Sequence, residues 1–215
     1  MNPNFRRLSR YEMAAKVAND IPDGSYVNLG IGIPTLISKC LPSDRSVILH
    51  SENGILGMGP APADGSIDLS LINASKEPVT LLPGASITDH VTSFAMMRGG
   101  HIDISVLGAF QVSSRGDLAN WDTGAKDAIP AVGGAMDLVV GARKVYVVME
   151  HVNKNGEPKI VSECTYPLTG AKVVDRIYTD CAVLDVTEKG LKVLWMSEGL
   201  TFDQLQSLTA APLDL

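Results

Sequence analysis

Apolar and polar positions in this chain alternate between a helical period and short unbroken runs, the pattern of an α/β protein. Ser9-x-x-Glu12 has the form of a capping box, and Met13, Ala14, Val17, Ala18 and Ile21 follow at helical spacing. That helix is predicted to stop at Pro22-Asp23-Gly24. Tyr26 to Ile31 reads as a short buried strand, and Pro34 suits the first turn of a helix running through Leu36 and Ile37 towards Cys40. Ser46 to His50 is a second strand that runs into a turn at Ser51-Glu52-Asn53-Gly54. Residues 57–68, rich in Gly, Pro, Ala and Asp, read as a surface loop.

Further apolar strands are predicted at Val79–Leu82, Ile102–Leu107, Val145–Met149 and Ala182–Val186, with helical stretches at Ile87–Arg98 and Ala135–Ala142. Arg115-Gly116-Asp117 and Glu188-Lys189-Gly190 read as hairpin turns, and Thr201-x-x-Gln204 caps a last helix. Strands alternating with helices predict an open, mostly parallel sheet with antiparallel pieces mixed in, covered on both faces. No repeat, low-complexity tract or linker divides the 215 residues, so a single domain over 1–215 is expected.

Composition narrows the function. Apolar residues make up 45% and charged residues 20%, a balance that can bury a core and argues against disorder. The net charge of −6, with no basic run, argues against nucleic-acid and membrane-surface partners. No apolar stretch reaches the length of a membrane span, and no apolar segment follows the basic N-terminus as in a secretory signal. Cys40, Cys164 and Cys181 are odd in number and form no CxxC pair, which predicts reduced thiols and a cytoplasmic setting.

Two segments are candidates for chemistry. Asn28-Leu29-Gly30-Ile31-Gly32 places a Gly-x-Gly at a strand-to-helix junction, where backbone can pass close to an anionic ligand. Thr35 stands where the dinucleotide fingerprint needs a small third residue, so a tight turn explains the pattern equally well. Glu52 sits at the end of a buried strand, where open α/β sheets place active sites; composition alone favours a plain Asn-Gly turn there. His50, His90, His101 and His151 lack metal-ligand spacing, so no metal site is expected. Glu150-His151 is either polar cleft lining or a solvated strand end. Gly133-Gly134 precedes a helical stretch, so its N–H groups suit an anion or an oxyanion. The chain has no Gly-x-Ser-x-Gly elbow and no P-loop.

Taken together, the segments VNLGIGIPTL, SENGILGMGP, LINASKEPVT, MMRGGHIDISVLGAFQV, GDLANW and VGGAMDLVVGARKV resemble the beta subunit of the class I 3-oxoacid CoA-transferases. The resemblance runs in order from about Met13 to the last helix. It implies a three-layer α/β/α fold and, as partner, the alpha subunit of such enzymes, in a heterodimer or heterotetramer. It also implies acyl-CoA and small acids as substrates, with no permanently bound cofactor. Glu52 falls on the family's nucleophile. Gly133 falls on a backbone oxyanion donor, with Gly134 and Asn53 as support, and Asn28, Gly30, Gly32 and Lys76 fall on CoA-binding positions. Ser75 departs from the glycine expected before Lys76. The 122–132 stretch, with Glu163 to Leu168, resembles the branch that uses 3-oxoadipate more than the acetoacetate branch. A second carboxylate on the acid would call for a cation or several N–H donors; Arg98, Arg115 and Lys126 are the candidates on this chain, with the alpha subunit as the alternative source. The alternatives are acetoacetate transfer on the same scaffold, a sugar-phosphate isomerase of the same fold, and a non-catalytic member of a heteromer.

Overall fold

The computed structural model describes residues 5–63, 65–125 and 129–215. Lys126, one of the candidate cations, lies outside them. Helices α1 (Arg10–Asp20), α2 (His90–Arg98), α3 (Ala135–Gly141) and α4 (Phe202–Ser207) accompany strands β1 (Tyr26–Leu29), β2 (Ile48–Ser51), β3 (Ile55–Met58) and β4 (Leu81–Ile87). The strands continue as β5 (Ile104–Leu107), β6 (Gln111–Ser113), β7 (Leu118–Ala119), β8 (Lys144–Met149), β9 (Ile160–Val161) and β10 (Arg176–Thr179). Strands β11 (Ala182–Thr187), β12 (Gly190–Met196) and β13 (Leu213–Asp214) complete the set.

Ten of these strands form one sheet in the order β13-β12-β11-β10-β8-β5-β1-β2-β3-β4, and β7-β6-β9 form a small second one. The five central strands, β10 to β2, are parallel, and antiparallel pairs flank them on both sides. Residues of alternate parity face opposite layers. Val27, Leu49, Ile104, Val106 and Tyr146 pack with Met13, Val17 and Ile37 on one face. Leu107, Val145, Val147, Met149 and Ile177 pack with Met97 and Leu138 on the other. The result is the α/β/α sandwich that the periodicity and the resemblance both predict.

Both predicted capping boxes form: Ser9 with Glu12 on α1, and Thr201 with Gln204 on α4. Three expectations need correction. The Pro34 helix is a 3₁₀ segment, Ile33–Lys39. Thr35 Oγ1 and Ser38 Oγ donate to the carbonyls three residues back, at 2.8 Å each, and so compete for acceptors an α-helix would use. The loop predicted from residue 57 begins after Met58, since β3 continues past a bulge between Leu56 and Met58. β4 is longer and later than the predicted Val79–Leu82 strand, and it consumes Ile87 from the predicted start of α2. Pro83 and Gly84 hide it in sequence, and the sheet's edge is where a strand tolerates them. Helix α2 starts instead behind Asp89, whose carboxylate accepts from Thr92 N–H at 2.9 Å.

Candidate active site

The chain passes from β1 to β2 on one side of the sheet and returns to β5 on the other, a topological switch point between β1 and β5. A cleft of about 520 Å³ opens there. Gly30 follows β1, Glu52 follows β2, Gly108 follows β5 and Glu150 follows β8, so four C-terminal strand ends line it. Leu107, Ala109, Phe110 and Leu138 supply apolar wall, and Gly133 and Gly134 close one side.

Glu52 is held by a heavily bonded turn. Gly54 N–H donates to the Ser51 carbonyl at 2.9 Å, and Thr88 N–H donates to the Gly54 carbonyl at 2.8 Å. Gly54 has φ 114°, and any Cβ there would collide with the Thr88 carbonyl, so glycine is required twice over. The Asn53 amide donates to the Ile72 carbonyl at 2.7 Å, and Ser51 Oγ accepts from Ala74 N–H at 2.9 Å. These bonds fasten the turn to the 72–77 loop.

The Glu52 carboxyl is half-buried, and loss of solvent raises its pKa above the ordinary range. The charge of His90 pulls it down, and that of Asp137 pushes it up. Gly134 packs directly on the carboxylate: a Cβ there would overlap Oε2 and lie 3.1 Å from Phe94 Cζ. Among the described residues, neither the Gly133 nor the Gly134 N–H has a hydrogen-bond acceptor, whereas Ala135 N–H bonds the Val132 carbonyl at 3.1 Å. Two free donors therefore lie at the wall of the cleft that Glu52 shares.

Beneath the carboxylate runs a buried polar row. Asn28 is level with His50 on one neighbouring strand and with Ser105 on the other. Asn28 Nδ2 lies 3.0 Å from His50 Nδ1, and His50 Nε2 lies 3.0 Å from Ser93 Oγ. Burial pushes the His50 pKa down to about 4, so the ring is neutral at pH 7. Asn28 donates to Nδ1, which puts the proton on Nε2, facing Ser93. The Asn28 amide is thereby fixed in the cleft wall.

The sequence candidates separate in space. Glu52, Asn28, Gly30, Gly133 and Gly134 line the cleft together. Gly32 is exposed at the start of the 3₁₀ segment, outside the lining. Lys76 is exposed at φ 63° on the 72–77 loop, also outside it, while Ala74 of that loop lines the cleft. Ser75 needs no positive φ, and its N–H bonds Asn73 Oδ1 at 2.9 Å, so the absence of glycine there leaves the loop intact. The Asn53 amide is spent on Ile72, a supporting role for the backbone. Arg98 pairs with Asp137 at 2.6 Å and Arg115 with Glu163 at 3.2 Å; neither lines the cleft. Glu150 does line it, and His151 is fully buried. Sequence reasoning missed Lys159 and Asn120. Nothing in the local pattern marks Lys159, which precedes a two-residue strand, whereas Asn120 stood inside the GDLANW segment. Among the described residues, no helix is long and apolar enough to cross a membrane.

Residues 11–207 match the family model described as coenzyme A transferase. The chain is 62% identical over 210 residues to the beta subunit of 3-oxoadipate CoA-transferase from Acinetobacter baylyi, covering 98% of this chain and 97% of the relative. It is 47% identical to the beta subunit of succinyl-CoA:3-ketoacid coenzyme A transferase from Helicobacter pylori, covering 96% and 99%. Among solved structures, glutaconate coenzyme A-transferase from Acidaminococcus fermentans superimposes with a TM-score of 0.70 at 18% identity, over 99% of this chain and 88% of that one.

Proposed function

The chain belongs to the coenzyme A transferase family, and on that premise we propose that it is the catalytic subunit of a heteromeric enzyme moving CoA from succinyl-CoA to 3-oxoadipate, with Glu52 as nucleophile. The observation that carries the assignment of Glu52 is its position: a carboxylate at the C-terminal end of a central parallel strand, in one cleft with the Gly133 and Gly134 N–H groups, which have no acceptor among the described residues.

The Glu52 carboxylate attacks the acyl-CoA carbonyl carbon, and the C–S bond breaks to release CoA thiolate. An acyl-glutamyl anhydride remains. The thiolate then attacks the glutamyl carbonyl, and the anhydride C–O bond breaks to give an enzyme–CoA thioester and the free acid. The acceptor acid runs the same two steps in reverse, restoring the Glu52 carboxylate. No separate base is needed, because both nucleophiles are anions.

Each tetrahedral intermediate carries an oxyanion, and Gly133 and Gly134 supply the donors that meet it. One well-placed donor of this kind is worth about 3–4 kcal/mol. Asn28, oriented by His50, and Gly30 receive the thiol end of CoA. Gly32 and Lys76 lie outside the lining, where only the remoter parts of CoA reach. Both covalent intermediates hydrolyse in water, so the open cleft needs a second wall, which the alpha subunit supplies in a heterodimer or heterotetramer. The described cysteines are unpaired, which supports a cytoplasmic location.

Mixed with its alpha partner and succinyl-CoA but no acceptor, the chain should gain the mass of CoA less water on the Ser51–Gly54 peptide. Glu52→Gln should abolish both adduct and turnover; a variant keeping a tenth of the wild-type kcat would remove the assignment. In competition, 3-oxoadipate should exceed acetoacetate at least about tenfold in kcat/KM, because its second carboxylate gains a charged hydrogen bond. Preference for acetoacetate would instead favour the acetoacetate:succinyl-CoA reading, with the same covalent chemistry.

A further inference from the structure

The cleft holds one cationic side chain among the described residues, and it belongs to neither arginine that the sequence suggested. Lys159 lines the same cavity as Glu52. Its backbone is pinned from both sides: its N–H donates to the His151 carbonyl at 3.1 Å, and its carbonyl accepts from Val112 N–H at 3.0 Å. The hairpin closed by the Val152–Pro158 bridge brings it back beside the end of β8. Among the described residues, its ammonium makes no hydrogen bond and no ion pair, although burial lowers its pKa and the charge of Glu150 partly restores it. The Glu150 carboxylate is already engaged, accepting from Arg10 Nε and Nη2 at 3.1 and 2.9 Å. A partly desolvated, unpaired cation in a substrate-sized cleft is costly unless an anion joins it.

We propose that Lys159 is the specificity-determining residue for the acid: its ammonium pairs with the distal carboxylate of a dicarboxylic substrate whose reacting carboxyl lies at Glu52. This deepens the transferase reading and rests on it. The apolar wall of Leu107, Ala109 and Phe110 suits the methylene chain of such an acid. The phosphates of CoA are the other available anions. They lie at the far end of the pantetheine arm from the thiol, whereas Lys159 and Glu52 share one small cavity.

The test uses the assembled complex with succinyl-CoA as donor and measures kcat/KM for 3-oxoadipate and for acetoacetate. With the covalent relay, each acceptor value reports the second half-reaction alone. Lys159→Met should lower the 3-oxoadipate value at least about tenfold and leave acetoacetate within about twofold, since acetoacetate has no distal charge. Lys159→Arg should restore much of the selectivity. An equal fall for both acids in an intact complex, as loss of a CoA phosphate contact would give, overturns the assignment; so does an unchanged ratio. If Lys159→Met fails to assemble, Lys159→Gln keeps much of the length and is read by the same ratio. A wild-type complex that transfers CoA to neither acid would remove the transferase reading itself, and this assignment with it.

Discussion

Gly134 stands against the carboxylate of Glu52 so closely that a Cβ on it would overlap Oε2 and lie 3.3 Å from Cδ. Its own backbone, at φ −85° and ψ 5°, is open to any residue. Glycine is therefore required at this position for the space it leaves to Glu52, and not for its conformational freedom.

Gly134→Ala should consequently fold normally yet displace the nucleophile. Displacements of about 1 Å at a reacting group cost on the order of a hundredfold. We expect kcat to fall by about that factor with Tm unchanged within about 3 °C, because the backbone is unstrained and the overlapping atom ends a side chain that can turn away. A variant with wild-type kcat would show that the carboxylate turns elsewhere during turnover.

Glu52 attacks as the anion, so activity is lost as pH falls through its pKa. Burial raises that pKa above the ordinary value of 4.5, and the acid limb of kcat/KM for succinyl-CoA should lie correspondingly high. His90→Gln removes a neighbouring positive charge and should move the limb to higher pH. Asp137→Asn removes a negative one and should move it lower. Coincident limbs in pH–rate profiles of the three proteins would disprove this account of the local field.

His50 and His151 are buried with pKa values pushed down to about 4, mainly by loss of solvent, from an ordinary 6.5. Between those values the unfolded chain binds more protons than the folded one, so stability falls as pH falls from about 6.5 towards 4. Each histidine should contribute about 2 kcal/mol of loss between pH 7 and pH 5. Urea unfolding at the two pH values measures the slope, and His50→Gln should remove about half of the histidine contribution.

The isolated chain should fold, since its two apolar clusters are complete among the described residues, but it should not transfer CoA. Co-expression with its alpha partner should give a complex burying more than about 1,000 Å² and full activity. Turnover by the purified chain alone would contradict the need for a second wall over the cleft.

The elements legible in the sequence were those whose signal is local. Ser9 and Glu12, and Thr201 and Gln204, cap helices through bonds spanning three residues, so spacing alone revealed them. Apolar runs marked the central strands β5 and β8 and the flanking β11, because strands largely covered on both faces carry few polar positions to confuse the count. Edge strand β4 was located only at its first two residues, since its exposed residues, Pro83 and Gly84 look like loop until a neighbour supplies the other half of the ladder. Short β6, β7 and β9 carry too few residues to show any period.

The same division runs through the site. Read from residue order alone, Glu52 ends a buried strand in a Ser-Glu-Asn-Gly turn, and the surrounding segments already point to the family. Which residues share the cleft with Glu52 depends on how the chain folds back on itself. Gly134 and Lys159 lie 82 and 107 residues further along the chain, on segments leading into α3 and β9 that return to the C-terminal ends of the parallel strands. A cation's partner is set by distance in space, and so Arg98 and Arg115 are spent on neighbouring carboxylates, while Lys159, unremarkable in its own segment, is left facing the cleft.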